Sequence, residues 1–186
     1  SQPFGVNLPM RSPLIADFVT VLCEERVKVA TTGGGNPAPY LPQLKEAGVI
    51  VAPVVPDAKV AQKMEETGAD LVIASGMEAG GFVGSVSTLV TLPQVTAAVQ
   101  IPVIAAGGIG DGRGVAAALL LGAVGVQLGT RFLVAEECGV HENYKKKVLA
   151  ANDIATMTTG KRLGHPVRSL KNPFSRAYLK AEYSGI

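Results

Sequence analysis

Short runs of apolar, largely β-branched residues recur along this chain at a nearly constant interval, and that recurrence constrains the fold more than any other feature. The runs cover Pro3 to Leu8, Val27 to Thr32, Val49 to Val55, Asp70 to Ser75, Pro102 to Gly107 and Val124 to Gly129, so successive starts lie 24, 22, 21, 32 and 22 residues apart. Each run is bounded by Gly, Pro or Asn and is almost continuously apolar, as a strand buried on both faces must be. Between the runs, apolar residues fall at helical spacing: Leu14, Phe18, Val21 and Leu22; Tyr40, Leu41 and Leu44; Val60 and Met64; Leu89, Leu92, Val95 and Val99; Val115 and Leu119; Tyr144 and Val148. Such spacing turns one stripe of each helix toward a sheet. A strand and a helix alternating every twenty-odd residues is a βα unit, which predicts an α/β protein with a parallel sheet.

Two architectures use that unit, the closed (β/α)8 TIM barrel and the open doubly wound sheet. The short, regular period favours the barrel, because an open sheet needs a long crossover where its strand order reverses. The single interval of 32 residues holds a glycine-rich insertion after Ser75, at the carboxyl end of a strand, where barrel enzymes build their sites. Six units fall short of eight. The expectation is therefore one barrel domain over residues 1–186, incomplete at both ends and holding strands three to eight, with Ser1 reading as a cut inside a longer chain.

Composition agrees with that class. With 47% hydrophobic and 17% charged residues, the chain is too apolar for disorder, and its charges, 22 Gly and 12 Pro interrupt every candidate membrane span. Cys23 and Cys138 lie far apart in helix-like contexts and read as reduced thiols of a cytoplasmic protein. Residues 145–180 hold nine of the 17 Lys and Arg against Asp153 alone, a local excess of +8 that leaves the rest at −6 within a net +2. The plain reading is a solvated helix face and a loop; the sharper one is a docking surface for an acidic partner or an anionic cofactor. Without interleaved aromatics, a nucleic-acid partner is not expected.

The chemistry points to the ends of the last two strands, Ala105-Ala106-Gly107-Gly108-Ile109 and Gln127-Leu128-Gly129-Thr130-Arg131. Glycines there let backbone N–H groups approach an anion, and in barrels the loops after strands seven and eight form the standard phosphate site. No GxxxxGK[ST] occurs, which excludes a P-loop hydrolase. Gly33-Gly34-Gly35-Asn36-Pro37-Ala38 fits a dinucleotide pattern only formally, because Pro37 removes a donor. In the insertion, Glu78 is a general base, a cation ligand or a residue that pins the loop, with pinning favoured. His141 and His165 are the only imidazoles, so no metal site is expected.

These motifs together, with Phe4-Gly5-Val6-Asn7, Gly48 to Pro56, Gly76 to Gly81, Pro102 to Gly114, Gln127 to Phe132, His141 to Lys145 and Gly164 to Arg168, resemble the nitronate monooxygenase and enoyl-ACP reductase II family of FMN-dependent barrel oxidoreductases. The segments His141 to Lys145 and Gly164 to Asn172 look closer to the bacterial enoyl reductase branch. The resemblance implies FMN as cofactor, with Gly107, Gly108, Gly129 and Thr130 at its phosphate, Gln127 beside them, and Asn7, Gly80 and Gly81 along the flavin. It implies NAD(P)H as co-substrate, an enoyl thioester as acceptor in fatty acid synthesis, acyl carrier protein as the partner of the basic 145–180 region, and leaves a homodimer open. Two positions depart from the family pattern. Phe82 stands where relatives usually place a catalytic His, and a phenyl ring cannot relay a proton; Ser75 stands where they carry Glu or Gln. The alternatives are a nitronate monooxygenase, a catalytically silent flavin binder and a non-flavin phosphosugar barrel.

Overall fold

The computed structural model describes residues 4–184, so Pro3, the predicted start of the first strand, and the two chain ends, Ser1 and Ile186, at which the barrel is expected to be incomplete, lie outside the described residues. The elements, in chain order, are β1 (Gly5–Pro9), α1 (Ile15–Glu24), β2 (Val29–Gly33), α2 (Leu41–Glu46), β3 (Ile50–Val55), α3 (Ala58–Glu66), β4 (Val72–Ser75), β5 (Gly81–Phe82) and α4 (Thr88–Ala98). They continue with β6 (Val103–Ala106), α5 (Gly112–Leu120), β7 (Gly125–Gln127), α6 (Thr130–Leu133), α7 (Glu142–Leu149), β8 (Thr156–Thr159), β9 (Val167–Leu170) and α8 (Pro173–Ser184). Six strands form one sheet in the order β1-β2-β3-β4-β6-β7, with every neighbouring pair parallel. The order never reverses. Each helix carries the chain to the next position on the same side, which makes a half-barrel and not a doubly wound sheet.

Burial along the strands follows their place in this sheet. The interior strands β3, β4 and β6 are buried over most of their length, whereas β1 and β7, each hydrogen-bonded to one neighbour among the described residues, are largely accessible. Two clusters fill the space between helices and sheet. Leu8, Val19, Leu22, Leu41, Leu44 and Val51 anchor the first; Val55, Met64, Val72, Leu92, Val95 and Val103 anchor the second. On the opposite face Ala52, Ile73 and Ala106 form a small third cluster.

The helical stripes hold only in part. In α1 the buried residues are Ile15, Val19 and Leu22, while Leu14, Phe18 and Val21 are exposed. This helix is apolar on two sides, so spacing admits two stripes and the sheet selects one. Leu92, Val95 and Val99 are buried as expected, but Leu89 is not; α5 buries Ala118 in place of Leu119, and α7 buries Lys145 in place of Tyr144. Lys145 is accommodated by its ion pair with Glu142 (3.1 Å) and a hydrogen bond to the Glu136 carbonyl (3.3 Å).

A repeated device ends the helices. After α2, α3 and α5 a glycine (Gly48, Gly68 or Gly122) takes a positive φ, and the next residue's N–H bonds five residues back, as in Val49 to Leu44, Ala69 to Met64 and Ala123 to Ala118. The residue so placed is apolar and buried in each case. After α1 the same geometry falls on Arg26 (φ 53), with Val27 N–H bonded to Leu22 O. A one-turn reversal followed by an apolar plug sets each helix back onto the next strand and accounts for the short period.

The region read as a solvated helix face and a loop contains more structure than that. β8 and β9 form an antiparallel hairpin, and β5 pairs with β9 through Gly81–Arg168 and Phe82–Val167. Asn172 and Ser175 cap α8 reciprocally, each accepting the other's backbone N–H, with Pro173 at the first helical position. Cys138 lies in a turn outside the helices, unlike Cys23 in α1; both are unpaired and half-buried, and burial, with Glu24 next to it, pushes the Cys23 thiol pKa up. Among the described residues no helix is long and apolar enough to cross a membrane.

Candidate active site

Strand register brings the site residues together. Side chains alternate along a strand, and the pairings put Asn7, Gly33, Val54, Ser75, Ala106 and Gln127 on the face turned away from the helices, at or near the carboxyl ends of their strands. All six line one pocket of about 740 Å3 with Gly80, Phe82, Gly107, Gly108, Gly129 and Thr130. That volume falls within the roughly 300–1,000 Å3 typical of small-molecule and cofactor sites. Every strand of the main sheet supplies at least one residue to it.

The glycine loops interlock by contact that excludes a side chain. A Cβ at Gly76 would lie 2.2 Å from Thr88 Oγ1 and 2.3 Å from Thr88 N; one at Gly107 (φ +99) would lie 2.9 Å from the same hydroxyl; one at Gly108 (φ +72) would lie 3.0 Å from Glu78 Cβ. Thr88 is the joint. Its N–H and hydroxyl meet Glu78 Oε2, both at 2.9 Å, and its Oγ1 lies 2.9 Å from the Gly107 carbonyl oxygen. The loop after β4 and the loop after β6 are thereby fixed to each other.

The loop after β4 is held from its other side as well. Arg168 donates from Nε (3.2 Å) and Nη2 (3.0 Å) to the Met77 carbonyl and from Nη1 to Thr156 Oγ1 (3.0 Å). Phe82, on β5, reaches the pocket wall and lies under the Arg11 guanidinium, 5.3 Å from its ring centroid. On β1, Asn7 Oδ1 accepts from Thr31 Oγ1 (3.0 Å), which leaves the amide NH2 to face a ligand.

Of the residues singled out in the sequence, Asn7, Ser75, Glu78, Gly80, Phe82, Gly107, Gly108, Gln127, Gly129 and Thr130 line this pocket. Gly81 does not; it lines an adjoining cavity of about 610 Å3 together with Tyr144, Asn152, Thr156 and Arg168. Three further lining residues carry no role in the sequence pattern: Arg131, which adds a positive charge beside the glycine cradle, and Gly33 and Gly34 of the weak dinucleotide pattern. Gly34 takes a positive φ (75), which favours glycine, and the Phe82 ring packs beside it. Their signal was visible as strand-end glycines of one more βα unit. Among the described residues no cluster of three or more His, Cys, Asp or Glu forms a metal site.

The pocket suits a flavin mononucleotide: two glycine turns open backbone N–H groups to an anion, Arg131 and Thr130 stand beside them, and neutral polar and apolar groups line the rest apart from Glu78, whose carboxylate is bonded to Thr88. Comparison with known proteins agrees. A profile of the nitronate monooxygenase family matches residues 1–185. A Rhodococcus jostii protein named (3aS,4S,5R,7aS)-5-hydroxy-7a-methyl-1-oxo-octahydro-1H-indene-4-carboxyl-CoA dehydrogenase is 43% identical over 169 residues, covering 91% of this chain and 48% of that protein. A probable nitronate monooxygenase of Staphylococcus saprophyticus is 35% identical, covering 85% and 48%. The solved structure of FabK from Thermotoga maritima superposes with a TM-score of 0.96 at 50% identity, over 98% of this chain and 59% of that one. The chain thus spans about half the length of the curated relatives it matches. Family profile, relatives and pocket agree that this chain belongs to the nitronate monooxygenase family of FMN-dependent oxidoreductases.

Proposed function

We propose that the protein is an FMN-dependent enoyl-thioester reductase of the enoyl-ACP reductase II type, oxidising NADH or NADPH and reducing an enoyl thioester of bacterial fatty acid synthesis. The observation that carries this reading is the 50% identity to FabK over 98% of the chain, combined with a phosphate-suited glycine cradle at the same end of the sheet as Phe82. A relative acting on a CoA ester, 43% identical, also favours a thioester substrate. We take the six parallel strands as strands three to eight of an eight-stranded barrel.

Gly107, Gly108, Gly129 and Thr130 would hold the FMN phosphate, and Asn7, Ser75, Gly80 and Gln127 would line the flavin. Bound FMN would supply the hydride chemistry, which no side chain can supply. The protein's part is placement and exclusion of water. Val54, Ile109, Val134 and Val148 give the pocket apolar walls, and Phe82 presents a ring with no proton to give or take. Glu78 accepts from the Thr88 N–H and shares the single Thr88 hydroxyl hydrogen with the Gly107 carbonyl, so we assign it the positioning of the two glycine loops.

The nitronate monooxygenase reading is favoured by the family profile and by the relatives of that name. Phe82 counts against oxidation of neutral nitroalkanes, whose proton must be abstracted by a base, but not against oxidation of a nitronate, which is already deprotonated. The test is the purified protein's visible spectrum for flavin bands, followed by NADH consumption with crotonyl-CoA against oxygen uptake with propyl nitronate. Oxygen uptake without thioester-dependent NADH consumption would sink the proposal.

Acyl carrier protein remains our proposed partner for residues 145–180. Four basic side chains there have internal roles: Lys145 and Arg168 as above, Lys171 on the Ile154 carbonyl and Arg162 on the Glu182 carbonyl. The exposed Lys146, Lys147, Lys161, Arg176 and Lys180 are the ones to reverse. Turnover with carrier-bound substrate should fall while turnover with crotonyl-CoA stays unchanged; equal effects on both would refute the docking surface.

A further inference from the structure

At the mouth of the pocket two basic side chains meet with no acid between them. Arg11, in the turn after β1, lays its guanidinium over the Phe82 ring and points Nη1 at Nδ1 of His165, 3.0 Å away in the loop between β8 and β9. With Nδ1 accepting from a guanidinium that cannot lose its proton, the neutral imidazole carries its hydrogen on Nε2. Both side chains are exposed, and among the described residues no carboxylate lies within ion-pair distance of either. Arginines that brace loops in this protein end on oxygen: Arg168 on Met77 and Thr156, Arg162 on Glu182 and Arg113 on Asp111. Arg11 ends on a ring face and an imidazole nitrogen, which orient the guanidinium and leave its charge without a counter-ion.

We propose that Arg11 and His165, on the Phe82 platform, form a phosphate-binding subsite at the mouth, separate from the glycine cradle. It would receive the phosphate-bearing tail of a ligand whose reactive end enters the pocket. Phe82 lines the pocket and carries the Arg11 guanidinium over its ring, while Arg11 and His165 stand just outside the lining, so a ligand leaving the pocket past that ring meets the guanidinium fork, whose geometry matches two phosphate oxygens. The inference rests on the reductase reading and deepens it. A nicotinamide dinucleotide and a coenzyme A or pantetheine thioester both carry phosphate remote from their reacting atoms. At position 82 a ring that cannot exchange protons is thereby given a binding role.

The experiment measures calorimetric dissociation constants of NAD+, coenzyme A and the phosphate-free crotonyl N-acetylcysteamine thioester with the FMN-loaded protein. Parent, Arg11→Gln, His165→Gln and the control Lys28→Gln, an exposed residue just before β2 at the end of the sheet opposite the pocket, are compared, with thermal midpoints recorded for each. Loss of one charge-assisted hydrogen bond to phosphate should weaken binding about tenfold in Arg11→Gln and less in His165→Gln, with the control and the phosphate-free thioester unchanged. Weakening confined to NAD+ assigns the subsite to the dinucleotide; weakening confined to coenzyme A assigns it to the thioester; weakening of both makes it shared. Unchanged constants for both, no measurable binding of either by the parent, or an equal loss for the phosphate-free thioester overturns the proposal. A parent that binds these ligands but does not consume NADH with crotonyl-CoA would refute the reductase reading and leave the subsite standing.

Discussion

Replacing Arg168 by Met should release the loop that carries Glu78, Gly80 and Phe82 while leaving the sheet intact. The guanidinium is half-buried and makes three hydrogen bonds: two to the Met77 carbonyl oxygen and one to Thr156 Oγ1. Hydrogen bonds from charged donors contribute about 1.5–3 kcal/mol each. Two that converge on one oxygen count as roughly one, and partial exposure reduces the sum, which gives about 2 kcal/mol. The loss should be local, because the guanidinium's partners lie on the small sheet and the loop, and neither large core cluster includes Arg168, Met77 or Thr156. Local opening at about 2 kcal/mol corresponds to roughly 30-fold faster amide exchange. Hydrogen exchange read by mass spectrometry should therefore show that acceleration for residues 76–82 and almost none for β3, β4 and β6. The Kd for FMN should rise with it, and Arg168→Lys, which retains the charge but not the forked geometry, should fall between. Loop exchange within threefold of the parent would refute the reasoning, and a uniform acceleration across the core would show that Arg168 acts on global stability.

Gly107→Ala should destabilise by about 2–3 kcal/mol and abolish flavin binding, since the methyl would meet Thr88 and Gly76 in a backbone conformation unfavourable for Ala; Gly110→Ala, with open space around its Cβ, should leave the thermal midpoint within error. Arg26→Gly should raise stability by about 0.5–1 kcal/mol, because relief of the left-handed strain outweighs the added freedom of the unfolded chain; a lower denaturation midpoint would contradict this. The Asp111 carboxyl is held below its ordinary pKa of 3.8 by the Gly114 N–H and then by Arg113. Its contribution is therefore present above that value and fades as pH falls through the lowered pKa. Asp111→Asn should flatten the acid limb of the stability–pH profile, and an unchanged limb would exclude the contribution.

Much of the fold was legible in the sequence because local chemistry repeats. All six strand runs overlap β1, β2, β3, β4, β6 and β7 to within about two residues at each end. The glycines that end α2, α3 and α5 mark the same period. Ten of the eleven residues singled out for the site line the pocket, since strand-end glycines and the in-phase residues before them are positional features. Helix faces were less legible. Where a helix is apolar on two sides, as α1 is, periodicity does not say which side meets the sheet. The β8–β9 hairpin was missed because Thr156 to Thr159 and Val167 to Leu170 are short, mixed in polarity and only partly buried.

The sequence by itself determined the repeating βα unit, the parallel sheet and the carboxyl-end glycine loops, because each depends on residues close together along the chain. Only the tertiary structure decided what fixes those loops in place. Thr88 joins Glu78 to Gly107, Arg168 reaches 91 residues back to Met77, and Arg11 meets His165 across 154. Contacts at such separations leave no periodic trace, since any Arg or Thr in a loop reads as a solvated side chain until the sheet brings its partner within hydrogen-bonding reach.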